Sequence, residues 1–597
     1  MADTVVSMFF ERTKVHPDRD ALKVKRNGEW SGITWREYEE LVRRAANGLL
    51  SLGISKGDRV AIISLNRPEW HVADIATQAA GGITVPIYVT NSPPQLSYIT
   101  GHSGSKAIFV ENAGQLDKVL KTKGDLPDLQ KVIVFDPEGA KLDDFVISWE
   151  QLLAAGFKHG DANQKALDER MAEVTPEDLA TLVYTSGTTG PPKGAMLTHA
   201  NIIWTCGSLN QILEVTPDER KLSYLPLSHI AERMVGHFTH IYGGGETWFA
   251  ESIDTLREDL GACKPTIFFG VPRVWEKFYA GLTALLDGLP EEQRDKAHQA
   301  VQLGLKRVEA QQAGNSLPPE LEEKYQEADK ALFAIARGAL GLDQATALVS
   351  GAAPINAEIL RFFHAIGLAV AEVYGQTEDN GPTSINPPDD IRIGTVGPPL
   401  PGVEVKIAED GEILVRGGNV GPGYYKNPEA TAELIDEEGY MHSGDVGEFD
   451  EKGYLRITDR KKDLIITAAG KNIAPQVIEN MIKHSPWVSQ AVVIGDAKPF
   501  LTALITLDQE KVTQFAEQKS IPSKDFAELS RHPDIQQLID IAIAEVNENL
   551  ARVEQIKKWI VLERDFLQDE DEMTPTMKVR RKAIVQKYAD TIESMYS

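Results

Sequence analysis

Between residues 182 and 197 the chain reads LVYTSGTTGPPKGAML. A β-branched run enters a loop of small, hydroxylic residues and a second apolar run leaves it, which predicts strand, tight loop, strand. Gly187, Gly190 and Gly194 allow sharp turning and close approach to a ligand. Thr185, Ser186, Thr188 and Thr189 offer hydroxyls beside exposed amides, a concavity that suits phosphate oxygens, and Lys193 adds a cation. A generic loop of this composition is a flexible polar hairpin. Here six consecutive small or hydroxylic residues, 185–190, followed by PPKG, favour phosphate binding. The P-loop of ATPases is excluded because no GK[ST] occurs, and no GxGxxG supports a dinucleotide site.

Other chemistry-bearing residues read as ordinary when taken alone. YGQTE at 374–378 sets a threonine and an acid beside a glycine turn, and SGD at 443–445 is a common turn. Lys578 sits in a basic cluster with Arg580, Arg581 and Lys582, the pattern of a solvated helix start. His229 follows an apolar run. His237 and His240 share a predicted helix, but no third ligand accompanies them, so they read as structural.

These residues need a scaffold. TWRE at 34–37 has capping-box spacing, and Tyr38, Leu41, Val42, Ala45, Ala46, Leu49 and Leu50 form a helical stripe closed by Gly53. Strands at 59–65, 83–88 and 107–110 alternate with helices at about 68–80 and from about 93, which favours a parallel sheet with helical crossovers. Residues 282–341, rich in Glu, Lys, Gln and Ala and broken by NSLPP at 315–319, read as two solvated helical arms. Beyond about 464 the elements shorten. A helix at 473–483, strands at 491–495 and 501–507, a helix at 535–550, a strand at 557–562 and a basic final helix make a compact second domain.

A length of 597 residues implies more than one core, and 42% apolar with 25% charged residues matches globular protein. A net charge of −26 argues against general attraction to nucleic acid. Cys206 and Cys263 form neither a disulfide framework nor a CxxC site. No run approaches the ~18–20 apolar residues of a membrane span, and the N-terminus lacks a secretory pattern. The expectation is a cytoplasmic protein, with peripheral membrane contact and oligomeric state left open.

YTSGTTGPPKG at 184–194 resembles the signature loop of the adenylate-forming enzymes: acyl-CoA synthetases, luciferases and peptide-synthetase adenylation domains. SGAAP at 350–354 resembles the adenine-pocket turn, with Gly351, Ala352 and Ala353. YGQTE at 374–378 resembles the segment that stacks adenine and holds magnesium. HSGD at 442–445, DRKKD at 459–463 and TPTMK at 574–578 resemble the ribose, hinge and catalytic-lysine segments. The resemblance spans nearly the whole chain. It implies an α/β fold: a large N-terminal domain, 1–461, with mostly parallel sheets, crossover helices and the 282–341 insertion, and a small mobile α+β domain, 462–597. It implies that Tyr374 lies against adenine beside Gly375 and Gln376, that Thr377 bonds the α-phosphate, and that Glu378 supplies an oxygen to Mg²⁺. Asp445 would take the ribose hydroxyls with Arg460 adding donors, and Lys578 would bridge carboxylate and α-phosphate. His229 would line the acyl site. The small domain would turn about Lys462 and present Gly470 and Lys471 to coenzyme A.

LPLSHIAER at 225–233, GVPRVWEK at 270–277, the inserted arms and TPTMKVRR at 574–581 look like the long-chain fatty acyl-CoA synthetase branch. That branch implies ATP, coenzyme A and a long-chain fatty acid as substrates, with Val235, Phe238, Phe268, Phe269 and Val271 as candidates for an apolar tunnel. Core packing is the other reading of those five. A fatty acyl-AMP ligase that loads a carrier protein is the alternative within the fold. A non-catalytic nucleotide sensor would be expected to lack Lys578 or Glu378, and both are present. Two departures stand out: Met577 where glycine commonly precedes the lysine, and Ser443 where threonine is usual.

Overall fold

RVAII at residues 59–63 and ITVPI at 83–87 are buried throughout except for Arg59. Strands covered on both faces suit a parallel sheet flanked by helices. The computed structural model describes residues 2–163, 165–185, 191–466, 472–523, 525–568, 570, 572–574 and 578–596. It sets these two strands at the centre of an eight-stranded sheet. The order is Gly423–Tyr424, Lys193–Thr198, Leu179–Thr185, Ile83–Ile87, Arg59–Ile63, Ser105–Val110, Lys131–Val134, Val146–Ser148. From Leu179–Thr185 to Val146–Ser148 all pairings are parallel, and the other two strands add antiparallel. Helices Pro68–Ala79, Pro93–Ser103 and Ala113–Thr122 make the crossovers. The predicted capping box is realised on helix Trp35–Ser51, where Thr34 Oγ1 accepts from the Glu37 amide and Glu37 Oε2 accepts from the Thr34 amide.

A second sheet orders Arg220–Ser223, Glu246–Phe249, Asp20–Arg26 and Glu29–Thr34, and a third orders Ile267–Gly270, Ala347–Ser350, Val370–Tyr374 and Ser384–Ile385. The chain divides into two compact units. The first comprises Met1–Ala352, Ala357–Val405 and Leu414–His442; the second comprises Ala353–Asn356, Lys406–Ile413 and Ser443–Ser597. In the second unit strands Val488–Ile494, Leu501–Leu507 and Ile556–Val561 form a sheet, antiparallel then parallel, over which helices Pro475–Ile482 and Pro533–Glu548 pack. Among the described residues no helix is long and apolar enough to cross a membrane.

One expectation changes. The arms at 282–341 also break at Gly288–Pro290, giving helices Pro272–Asp287, Glu291–Gln312 and Pro319–Ala328, a π turn Asp329–Phe333 and helix Ala334–Ala339. They are not wholly solvated: Ala297, Gly304, Val308, Tyr325 and Phe333 are buried, and Glu291–Gln312 packs on helix Ala357–Ala365. Composition alone hid this, because a narrow stripe of small residues suffices where two helices approach closely. The N-terminal run is a helix, Val5–Val15, capped by Thr4 and largely buried.

Candidate active site

The strand–loop–strand segment is the antiparallel pair Leu179–Thr185 and Lys193–Thr198, with Tyr184 opposite Gly194 and Thr185 opposite Lys193. The loop residues Ser186, Gly187, Thr188, Thr189 and Gly190 lie outside the described residues. At the loop's base a carboxylate arrives from far along the chain. Thr185 Oγ1 donates to Glu378 Oε1 at 3.4 Å, and Tyr424 Oη donates to the same oxygen at 2.7 Å. Tyr424 gets there because Gly423–Tyr424 adds as a strand to Lys193–Thr198, opposite Met196 and Ala195. Thr431 Oγ1 accepts from the Tyr424 amide at 2.9 Å, and the Tyr425 amide donates to Gly194 at 2.8 Å. Lys193 Nζ stands 4.9 Å from the Tyr424 ring centre. Burial, then the Glu378 charge, push the Tyr424 hydroxyl up, so it remains a donor.

Glu378 itself is 9% exposed and stands in a short 3₁₀ turn, Thr377–Asp379, directly after strand Val370–Tyr374. The turn is closed by the Gln376 amide on Asp379 Oδ1 (2.8 Å), by Thr383 Oγ1 on Asp379 Oδ2, and by Gly381 N on Gln376 O (2.9 Å). Burial pushes the Asp379 acid up to about 8, so it tends to hold its proton within this network. Gly375 is required sterically: a Cβ there would lie 1.6 Å from the Gly381 carbonyl oxygen. Asn380 takes a left-handed φ of 63° and anchors the turn to helix His199–Leu213 through Asn201 O and Thr205 Oγ1. Tyr374 is half-buried at the strand end, opposite Ser384. Gly351 follows strand Ala347–Ser350 against Val373, and Ala352 turns with φ 69°, a conformation that costs a non-glycine roughly 1–2 kcal/mol.

His229 caps the short helix Ile230–Glu232, its Nδ1 accepting from the Ala231 amide at 3.1 Å, which places the ring proton on Nε2. His237 and His240 are buried, as the structural reading of them requires. Asp74, without exposure, accepts from Arg233 at 2.7 Å and pairs with His237 Nε2 at 2.8 Å, while Arg233 also donates to Thr181 in the strand that feeds the loop. Burial alone would raise the Asp74 acid; Arg233 and His237 outweigh it and hold it below its usual range. His240 stacks on Trp35, ring centres 4.8 Å apart. Among the described residues no cluster of three or more His, Cys, Asp or Glu is placed to hold a metal. Of the tunnel candidates, Phe238 and Phe269 are buried in one core cluster with Val235 and Val271 packed against it. Phe268 projects to the other face of strand Ile267–Gly270, among Tyr224, Trp275 and Phe278.

In the second unit Asp445 and Arg460 face each other across antiparallel strands Met441–Phe449 and Leu455–Arg460, with Arg460 Nε 3.2 Å from the buried Asp445 Oδ1. Ser443 Oγ accepts from the Asp445 amide at 3.1 Å, so serine serves in this turn. Lys462 is exposed in the turn that follows. Lys578 is half-buried; its amide donates to Thr574 Oγ1 at 3.0 Å and its carbonyl accepts from the Thr574 amide at 2.8 Å. Met577, Gly470 and Lys471 lie outside the described residues.

Residues 9–425 match the family model described as AMP-binding enzyme, and 462–597 match the AMP-binding enzyme C-terminal domain. The chain belongs to the AMP-binding enzyme family. It is 37% identical over its whole length to the long-chain-fatty-acid–CoA ligase FadD15 of Mycobacterium bovis, covering 97% of that protein. It is 36% identical to the human ACSBG1 ligase of the same description, with 99% of this chain and 85% of that one aligned. Among solved structures it resembles the anthranilate CoA ligase AuaEII in complex with anthranoyl-AMP (TM-score 0.75, 19% identity, 99% and 98% of the two chains). It also resembles ATP-bound MatB from Rhodopseudomonas palustris (TM-score 0.69, 25% identity, 99% and 100%).

The two partners of Glu378 include one residue that sequence reading passed over, Tyr424. Its signal was available: GYY at 423–425 is a short apolar-aromatic run able to add as an edge strand. Nothing local ties that run to Glu378. The Asp74–Arg233 pair was equally hidden, since nothing in the spacing of the two residues ties them together until both are seen at 0% exposure.

Proposed function

We propose that the chain is an ATP-dependent long-chain fatty acid:CoA ligase. The observation that carries the reading is the Glu378 carboxylate oriented by Thr185 and Tyr424 at the base of the glycine-rich loop, in a chain related end to end to proteins named long-chain-fatty-acid–CoA ligases. Those names also favour coenzyme A over a carrier protein as acceptor.

A fatty carboxylate is a poor electrophile because its leaving group would be oxide. Attack on the α-phosphorus of ATP gives an acyl-adenylate and pyrophosphate, after which AMP leaves readily on attack by the coenzyme A thiol. In this reading the 185–190 loop and Lys193 hold phosphate oxygens, and Tyr374 covers the adenine beside Gly351, Ala352 and Ala353. Thr377 donates to the α-phosphate, Asp445 accepts from the ribose hydroxyls and Arg460 adds donors. Lys578 sets positive charge where two anions meet, the step at which negative charge accumulates. Glu378 fits a magnesium ion: a nearly buried hard oxygen donor whose Oε1 is taken by two hydroxyls, which leaves Oε2 to face a cation. Mg²⁺, when bound, supplies charge neutralisation at the phosphates. His229, Val235, Phe238, Phe269 and Val271 flank the acyl chain, and Phe268 supports them from behind. Residues 462–597 turn about Lys462, withdrawing Lys578 and bringing Gly470 and Lys471 to the thiol.

Two measurements test this. AMP release that depends on coenzyme A should rise from acetate through octanoate to palmitate; preference for acetate or benzoate would overturn the substrate class and leave the reaction class standing. Lys578→Ala should abolish exchange of pyrophosphate into ATP yet retain thioester formation from supplied acyl-adenylate. Equal loss of both would refute that division of labour.

A further inference from the structure

The segment that carries Lys578 is a narrow stem. Met573 bridges Val579, Thr574 and Lys578 are hydrogen-bonded to each other, and the Arg580 amide donates to the Glu572 carbonyl at 2.8 Å. One strand of that stem begins at Glu572, whose side chain is fully buried and takes five donors. Arg564 binds it bidentately at 2.7 and 2.9 Å, and the Leu567 amide donates at 2.9 Å. Lys587 Nζ lies 3.0 Å from Oε1, and the Tyr588 hydroxyl donates to Oε1 at 3.1 Å. The donors come from both sides of the stem in sequence: Arg564 and Leu567 before it, Lys587 and Tyr588 after it on and beside helix Arg581–Lys587. Met573 meanwhile packs with Phe566 and Ile584, with Val579 against them.

A carboxylate buried at the end of the acidic run 569–572 is a costly placement unless it is fully paired, and removing one partner of such a set leaves uncompensated charge behind. Its placement here joins the two ends of the lysine-bearing stem. We propose that Glu572 is the positioning residue for Lys578: it clamps the chain before the stem to the chain after it and so fixes where the ammonium is delivered. The inference rests on the reading of Lys578 as the adenylation lysine.

The test uses the full chain and scores each half-reaction separately: pyrophosphate exchange into ATP with palmitate, and thioester formation from supplied palmitoyl-adenylate. Glu572→Gln and the milder Tyr588→Phe, which removes a single bond to Oε1, are compared with Asp508→Ala, which removes the N-cap of helix Gln509–Lys519 and leaves the stem untouched. Glu572→Gln should slow exchange by about ten- to a hundredfold, the scale of a misplaced catalytic group, and leave thioester formation within about twofold. Tyr588→Phe should show the same selectivity at smaller amplitude, and Asp508→Ala should lower the melting temperature without selectivity. If Glu572→Gln does not fold, Tyr588→Phe decides. Equal loss of both half-reactions, or unchanged exchange in either stem variant, overturns the proposal. Unchanged exchange in Lys578→Ala would instead sink the reading beneath it.

Discussion

At the scale of single residues, the proposed magnesium site depends on one carboxylate being held still. Two hydroxyls, from strands separated by most of the sheet's sequence, converge on Glu378 Oε1. A hydrogen bond to a charged group contributes roughly 1.5–3 kcal/mol. Tyr424→Phe keeps the ring under Lys193 and removes only the hydroxyl. Adenylation at limiting Mg²⁺ should fall by about tenfold or more by that figure, with excess Mg²⁺ recovering most of it. A loss that Mg²⁺ does not relieve would assign Tyr424 to nucleotide contact instead. The neighbouring Asp379 is held by Thr383 and the Gln376 amide and serves the turn rather than the ligand.

At the scale of elements, the stem bearing Lys578 is built around an acid that stays ionised. Burial acts to raise the Glu572 acid; Arg564, the Leu567 amide, Lys587 and Tyr588 outweigh it and bring it down to about 2. Its unfolded value is about 4.3. A depressed acid contributes its full stability above the unfolded value and loses it as pH falls through the window towards 2. Urea unfolding of the wild-type protein between about pH 5 and 3, followed by tryptophan fluorescence, should therefore show a steeper acid loss than Glu572→Gln, on the order of 1–2 kcal/mol across that range. Parallel pH profiles would show that the Glu572 acid titrates alike in the folded and unfolded states, and would overturn this account. Adjacent Phe268 and Phe269, both offered by the sequence as tunnel candidates, project to opposite faces of strand Ile267–Gly270.

At the scale of the whole molecule, each compact unit has apolar clusters of its own, around Trp35, Trp70, Phe109 and Phe238 in the first and around Ile505, Ile539 and Val493 in the second. Calorimetry should resolve at least two transitions, with Mg·ATP raising both by mass action, since the proposed contacts lie in both units, and Glu572→Gln lowering only the second. One transition moved as a whole by both would mean the units unfold together. Much of the architecture was legible as local pattern. The Thr34–Glu37 box, the alternation of buried strands with helices, and the two strands around TSGTTG each involve residues within a turn or a strand of one another, where backbone preference and periodicity carry the information. Partnerships between distant polar side chains did not show. Thr185 and Glu378 are 193 positions apart, Asp74 and Arg233 are 159, and each side chain alone has the look of a solvated polar group. Folding removes the water around them, and in that dry setting a charge persists only beside its complement, so the pairing is chosen by three-dimensional packing and leaves no trace in the spacing of the letters.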